Sequence, residues 1–323
     1  MEKINLTQSK RGYLLRISAS DACNFNCQFC RPQKKNPSDV LSDYELLKII
    51  KEINNQYTLK TIHFTGGEPL LRKSIVNVIH QCRQMISPDV EIALTTNGLL
   101  LHNKIYDLTN AGLNRVNISL HTLNQERYSK IAGTKCNINL IKNAIIDSKN
   151  AGLLVKTNSV LIRNFNDIDI PDIMNFCFKL DVIPRFLELG LYGPVVNWFS
   201  HEDTIMRDEI IERIKTVFGS IERDLKYRGN GPTKYYRTSN DKVFGIIDHQ
   251  SNKLCVGCDR FRLSSNGKLR FCNFNFVDLC KSLYSDEELR LVIQNFKNQI
   301  VNRGCDYIGK RTHKIDYNFR WNI

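Results

Sequence analysis

Short β-branched or apolar runs alternate with longer amphipathic stretches through about residue 195. The runs cover 13–18, 60–65, 91–96, 115–120, 154–161 and 185–189, and stretches such as 42–54, 74–85, 137–151 and 172–180 carry apolar residues at helical spacing. Repeated strand-then-helix units predict a parallel sheet with helices outside it. Six units predict an α/β fold built as a partial, TIM-like (βα)6 barrel, whose chemistry belongs at the C-terminal ends of the strands. The chemically distinctive residues obey that rule. Cys23 follows the first run, Gly66-Gly67-Glu68-Pro69 the second and Thr96-Asn97-Gly98 the third, while Ser119 and His121 close the fourth and Glu188 the sixth.

Beyond about residue 195 the alternation weakens. A helix is expected over 207–218, followed by a polar loop over 226–234 that holds Gly229, Gly231 and Pro232. A boundary near 225 therefore divides a core barrel (1–225) from a smaller C-terminal α+β domain (226–323). Hydrophobic residues make up 42% of the 323 and charged residues 24%, an ordinary globular balance. No apolar run approaches the roughly 18–20 residues of a bilayer span. Residues 1–18 lack the apolar core of a signal peptide, so no membrane association and a cytoplasmic location are expected. The net charge of +13 is spread without a dense basic block. Most of it reads as solvated surface, and a small polyanionic substrate needs only a few well-placed cations.

Eleven cysteines in a chain without a secretion signal do not read as a disulfide framework. Cys82, Cys136, Cys177, Cys280 and Cys305 are scattered and read as small core or surface residues. The other six form two groups. Cys23, Cys27 and Cys30 are spaced Cys-x3-Cys-x2-Cys in a loop after the first strand. Three thiolates hold three irons of a cubane and leave the fourth open, whereas a structural zinc would need a fourth ligand from elsewhere. The loop, with Phe29 just before its last cysteine, resembles the radical SAM superfamily. That resemblance implies a [4Fe-4S] cluster whose open iron is chelated by S-adenosylmethionine (SAM), reductive cleavage of SAM, and a 5′-deoxyadenosyl radical that takes hydrogen from a substrate. It also implies that Gly66, Gly67 and Glu68 meet the methionine end of SAM, with Phe29, Asn97, Ser119 and Gly190 as further SAM contacts.

The second group is Cys255, Cys258 and Cys272, with thirteen residues between the last two. A zinc ribbon closed by Cys280 or a histidine is the plain alternative. Arg260 and Arg262 beside the cysteines favour a centre that binds an anion. With this group the chain resembles the MoaA-type GTP 3′,8-cyclase family of molybdenum cofactor biosynthesis, from about Tyr13 to Phe274. The resemblance runs through 13–18, Thr65–Pro69, 95–98, 116–120, Lys156-Thr157-Asn158, 185–188, Gly231-Pro232 and the Cys255-to-Cys272 set. It implies a second [4Fe-4S] cluster on Cys255, Cys258 and Cys272. It further implies nucleotide contacts from Arg16, His63, Thr95, Lys156, Arg185, Arg260, Phe261 and Arg262, with Arg260 and Arg262 serving catalysis. Hydrogen would be taken from the ribose 3′ position, and C3′ would then bond to C8 of the purine. An electron donor such as flavodoxin or ferredoxin and a downstream pathway enzyme are implied partners; nucleic acid is not, and a homodimer is left open.

Three departures from that family stand out. Thr61-Ile62-His63 replaces a Lys-x-Arg that touches the triphosphate. His121 replaces an aspartate, and Gly190 a methionine. Asn318 to Ile323 lack the family's Gly-Gly tail. A paralogue acting on another nucleotide or nucleoside, a peptide-modifying enzyme, and a zinc-ribbon nucleic-acid binder are the competing expectations.

Overall fold

The computed structural model describes residues 12–30, 40–191, 193–226, 231–248, 259–272, 275–280 and 285–303, with backbone only at 193–194, 271–272, 275 and 297–303. Six strands alternate with helices: β1 (Tyr13–Ser20), α1 (Asp43–Gln56), β2 (Leu59–Gly66), α2 (Ile75–Met85), β3 (Glu91–Thr96), α3 (Ile105–Asn110), β4 (Arg115–Ser119), α4 (Gln125–Ala132), α5 (Ile138–Asn150), β5 (Leu154–Leu161), α6 (Ile170–Lys179) and β6 (Ile183–Glu188). There follow α7 (Arg207–Phe218), β7 (Ile221–Arg223), β8 (Lys234–Thr238), β9 (Val243–Ile247), β10 (Arg260–Leu263), β11 (Lys268–Cys272), β12 (Asn275–Asp278) and α8 (Asp286–Arg303).

The expected (βα)6 sheet is present, and it continues past six strands. All twelve strands form one sheet in the order β12-β11-β10-β1-β2-β3-β4-β5-β6-β9-β8-β7. β9 joins β6 and β10 joins β1, both in parallel, so eight neighbouring strands run one way. A bare edge on β1 or β6 would leave ladder groups unpaired; residues from the C-terminal third cover both.

Strand alternation sorts the side chains into two environments. Leu15, Ile17, Ile62, Phe64, Ile92, Leu94, Val116, Ile118, Phe186, Phe244, Ile246, Phe261 and Leu263 belong to the main apolar core with the helices. α1 shows how a helix is fixed there. Ser42 and Glu45 form a capping box, and Leu46, Leu47, Ile49, Ile50 and Ile53 face inward. The intervening strand residues, among them Arg16, His63, Thr95, Asn117, Lys156, Arg185, Arg260 and Arg262, lie on the concave face. The sheet curls, because concave-face residues two or more strands apart touch. Asn117 Nδ2 on β4 lies 3.2 Å from His63 Nε2 on β2, where a flat sheet would separate these strands by roughly 10 Å. Lys156 on β5 likewise reaches the Tyr235 hydroxyl of β8 at 2.9 Å.

Candidate active site

The thiol loop leaves β1 and is pinned from outside. The amides of Asn26 and Gln28 donate to the carbonyls of Ala132 (2.8 Å) and Ile131 (3.3 Å) on α4. Phe25 is buried edge-on against Tyr128. The Cys30 amide closes a turn on the Cys27 carbonyl at 3.0 Å, and the Phe25 amide donates to Cys23 Sγ at 3.4 Å. Burial pushes the Cys27 thiol well up, and Cys30 and Cys23 add to the push, so the three sulfurs lie within electrostatic reach of one another.

Three crowded thiols cannot all ionise unaided; a cationic centre removes that obstacle. Among the described residues no three His, Cys, Asp or Glu side chains converge on a point for a single metal ion. A cubane gives each thiolate its own iron, so one loop carrying three neighbouring thiols fits it.

The strand ends beside this loop are tied together. The amides of Gly67 and Glu68 donate to the carbonyls of Ser20 and Ala22, each at 2.7 Å. The approach is so close that a Cβ on Gly67 would collide with the Ala22 carbonyl oxygen, and Gly66 sits at φ +141°. Glu68 is fully buried; its carboxylate accepts from Thr96 Oγ1 (2.7 Å) and from the amides of Asn97 (2.8 Å) and Leu70 (3.0 Å). Asn97 Nδ2 donates in turn to Asn24 Oδ1 of the thiol loop at 2.7 Å. One carboxylate thus locks the ends of β2 and β3 beneath the cysteines, which occupies Glu68 with scaffolding.

Phe29 is half-buried, its ring 5.0 Å edge-on from His121. His121 is held in place because its Nδ1 accepts the Val160 amide at 3.1 Å. Burial lowers its basicity to about 4, so it is neutral at physiological pH. Ser119 ends β4, and Gly190 is buried just beyond β6. Phe29 also packs on a second apolar cluster of Val160, Ile162, Leu187, Leu189, Val195 and Ile247, separate from the main core.

Deeper on the concave face lies a collection of cations. Arg16 pairs in register with His63 on one side and Arg262 on the other. Its basicity is lowered to about 9, by burial first and then by Arg262, Arg260 and Arg185. Lys156 falls to about 6 through burial, Arg185 and Arg115. Buried groups that repel one another in this way describe a site for an anion.

Several positions were not legible as site residues in the sequence. Asn117 bonds both His63 and Thr95. The Tyr235 hydroxyl accepts from the Lys156 amine at 2.9 Å, with Nζ 5.0 Å from the ring centroid. Gly245 faces Arg185 in register. The Val-Asn-Ile alternation at 116–118 is a signal that could have marked Asn117 as inward-facing; no such signal exists for Tyr235 on β8 or Gly245 on β9, whose strands the sequence pattern does not declare part of the sheet.

One expectation is corrected: Phe261 is fully buried in the main core, 5.1 Å from Tyr13 and 4.5 Å from Tyr57 between ring centroids. Alternation turns it away from Arg260 and Arg262, so its side chain supports β10 and does not line the concave face. Cys255, Cys258, the Cys272 side chain, Cys305 and the last six residues lie outside the described residues. Cys82, Cys136 and Cys177 are buried and Cys280 is exposed, in keeping with small core or surface roles.

The strand-end thiol loop on a parallel α/β barrel defines the class. The Radical SAM superfamily model matches residues 17–177, and the Molybdenum Cofactor Synthesis C model matches 182–305. The chain is a radical SAM enzyme, with SAM and [4Fe-4S] clusters as its cofactors. It is 35% identical to a GTP 3′,8-cyclase of Aquifex aeolicus over 81% of this chain and 82% of that one. It is 38% identical to that of Thermodesulfovibrio yellowstonii over 86% and 88%. The chain belongs to the GTP 3′,8-cyclase family. Among solved structures, Streptococcus suis SuiB bound to SAM aligns with a TM-score of 0.61 at 14% identity, over 85% of this chain and 64% of SuiB. Native anSMEcpe with bound AdoMet aligns at 0.54 and 15%, over 87% and 83%. At such identities the two share the fold. No helix among the described residues is long and apolar enough to cross a membrane.

Proposed function

We propose that this protein converts GTP to its 3′,8-cyclised product as an early step of molybdenum cofactor biosynthesis. The carrying observation is the concave-face cation set of Arg16, Lys156, Arg185, Arg260 and Arg262, of which Lys156 and Arg185 are buried and whose mutual repulsion is relieved by a polyanion. Cluster and SAM together would supply a 5′-deoxyadenosyl radical to take the ribose 3′ hydrogen; C3′ would then bond to C8 as the C8–N7 π bond opens, and one electron and one proton would complete the product.

The chain's own residues bind, orient and shield. Cys23, Cys27 and Cys30 would hold the SAM cluster, and Cys255, Cys258 and Cys272 the second one. Gly66 and Gly67 would offer backbone to the methionine end of SAM. Phe29, Asn97, Ser119 and Gly190 would line its remainder, with the apolar cluster around Val160 and Leu187 keeping water from the reacting atoms. Arg16, Arg185 and Lys156 would grip phosphate, Thr95 and His63 would add neutral contacts, and Arg260 and Arg262 would bring the nucleotide to the second cluster. The stretch 1–225 then serves SAM and 226–323 the second cluster. A cytoplasmic setting and a one-electron donor of the flavodoxin or ferredoxin class complete the proposal.

The test is anaerobic incubation of reconstituted protein with SAM, reductant and GTP deuterated at C3′. Deuterium in 5′-deoxyadenosine and a cyclised nucleotide are expected. Formation of 5′-deoxyadenosine with no deuterium and no cyclised product would overturn the proposal. Zinc in place of iron and sulfide would overturn the class of chemistry assigned to the cysteines.

A further inference from the structure

The cations of the lumen continue outward along the sheet. Cross-strand partners in register carry their side chains on one face. Arg16 on β1 is the partner of Arg262 on β10, Arg262 of Arg270 on β11, and Arg270 of Phe276 on β12. The alternate residues Phe261, Leu263, Leu269 and Val277 pack with the main core, so the row Arg16–Arg262–Arg270–Phe276 lies on the concave side. It crosses three strand spacings, about 14 Å, from the arginine cluster to the outermost strand of the sheet. The three arginines are half-buried, whereas the Phe276 ring is 47% exposed. Two cations from β11 gather on that ring. Lys268 Nζ lies 5.0 Å and the Arg270 guanidinium carbon 5.1 Å from its centroid. The electron-rich ring face offsets part of the repulsion between the two like charges. Asp278 stands opposite Lys268 in register, and its carboxylate accepts the Cys280 amide at 3.1 Å.

We propose that Lys268, Arg270 and Phe276 form an outer landing site for a nucleoside polyphosphate, from which the arginine row leads the phosphates into the lumen. The proposal rests on the nucleotide reading above and adds a route of entry to it. The ligand is the substrate itself, because the row is continuous with the site and its charges are all positive. The field rises inward. At Arg270 burial lowers the basicity of the guanidinium; at Arg16 burial is joined by repulsion from Arg262, Arg260 and Arg185. An anion taken up at the edge therefore relieves more repulsion at each step toward Arg16. A cleft lined by one sign of charge also focuses its field and speeds association. Lysine on an edge strand deters edge-to-edge pairing as well, but that role calls for neither an aromatic ring beside the cation nor an arginine in line with the lumen.

The test uses the full chain, anaerobically reconstituted, and stopped-flow mixing with a GTP analogue fluorescent in its base. Lys268→Gln combined with Arg270→Gln is expected to slow association about fivefold at low salt and to change dissociation less than about twofold. Iron per chain and SAM binding should hold. At about 0.5 M salt exposed charges are screened within a few ångströms, and the double variant should then associate as fast as the parent. A loss that persists at high salt marks a packing defect and overturns the proposal. Lys268→Arg combined with Arg270→Lys keeps both charges and should match the parent; if it is as slow as the glutamine pair, charge is not the agent and the proposal falls. Should the glutamine pair fail to fold, Phe276→Leu, which removes the ring that gathers the cations, is expected to slow association about twofold with the same salt dependence; an unchanged rate there overturns the proposal. Parental nucleotide uptake by the glutamine pair, together with slower reduction of its clusters by flavodoxin, would make the patch a dock for an acidic electron donor and overturn the entry role. A parent that binds no nucleotide ends the nucleotide reading and the entry role together, whereas nucleotide binding at an unaltered rate in the glutamine pair ends the entry role alone.

Discussion

Gly245 stands directly opposite Arg185 on the neighbouring parallel strand, and the space of its absent side chain is filled by its neighbours. A Cβ there would lie 3.0 Å from Arg185 Cγ, 3.3 Å from Tyr235 Cε1 and 2.5 Å from Thr233 Cγ2. The Tyr235 ring crosses this gap, and its hydroxyl takes the Lys156 amine. A glycine on an added strand thereby sets the placement of two cationic side chains on β5 and β6.

Gly245→Val should therefore displace Arg185 and Tyr235 together. Overpacking costs about 1–3 kcal/mol of stability. Nucleotide affinity should fall about tenfold or more, while iron content and SAM binding hold. Dialysis against nucleotide, with iron analysis and a melting curve on the same sample, checks this; unchanged affinity would contradict it.

Lys156→Met should stabilise the fold and abolish tight nucleotide binding. The amine's ordinary value is 10.5 and its buried value about 6. Above the ordinary value neither state holds the proton, and burial of the amine carries no protonation cost. As pH falls from there toward the buried value, the unfolded chain gains a proton that the folded chain refuses, so stability is lost until a plateau below it. The variant's advantage over the parent should thus grow as pH drops from about 9 to about 6, with an increase of about 2–3 kcal/mol between about pH 9 and neutrality. Denaturant midpoints across that range measure it, and a constant or shrinking advantage would contradict it.

Gly67→Ala should strip the SAM site while leaving the barrel folded. Its methyl group would meet the Ala22 carbonyl oxygen where the Gly67 amide binds the end of β1 and the Glu68 amide binds the thiol loop. Iron and sulfide per chain and SAM retention should drop sharply with little change in far-ultraviolet circular dichroism.

His121→Ala leaves the Val160 amide without its acceptor and Phe29 without its edge-on neighbour. An unmet buried amide costs about 1–3 kcal/mol. SAM should bind more weakly as Phe29 loses its support. His121→Asn, whose side-chain oxygen can accept the amide, should restore most of the stability; equal losses in both variants would contradict the assigned role.

The first six strands, their helices and the rim motifs were legible in the sequence because each depends on local rules. Strand alternation places Arg16, His63, Asn117, Lys156 and Arg185 on one face wherever those segments become strands, and the Cys-x3-Cys-x2-Cys loop carries its spacing along the chain. Tertiary structure decided the rest. Residues 243–247 and 260–263 are too short to declare where they pair, and only the edges of a completed six-strand sheet give them parallel partners. Curling then decided which concave-face residues meet: Asn117 with His63 across two strands, and Lys156 with Tyr235 across three. Alternation on β10 sent Phe261 into the core although it lies between two arginines of the site. Residue types and their spacing thus announced the chemistry, whereas the crowding of the arginines and the room left by Gly245 exist only once distant strands share one lumen.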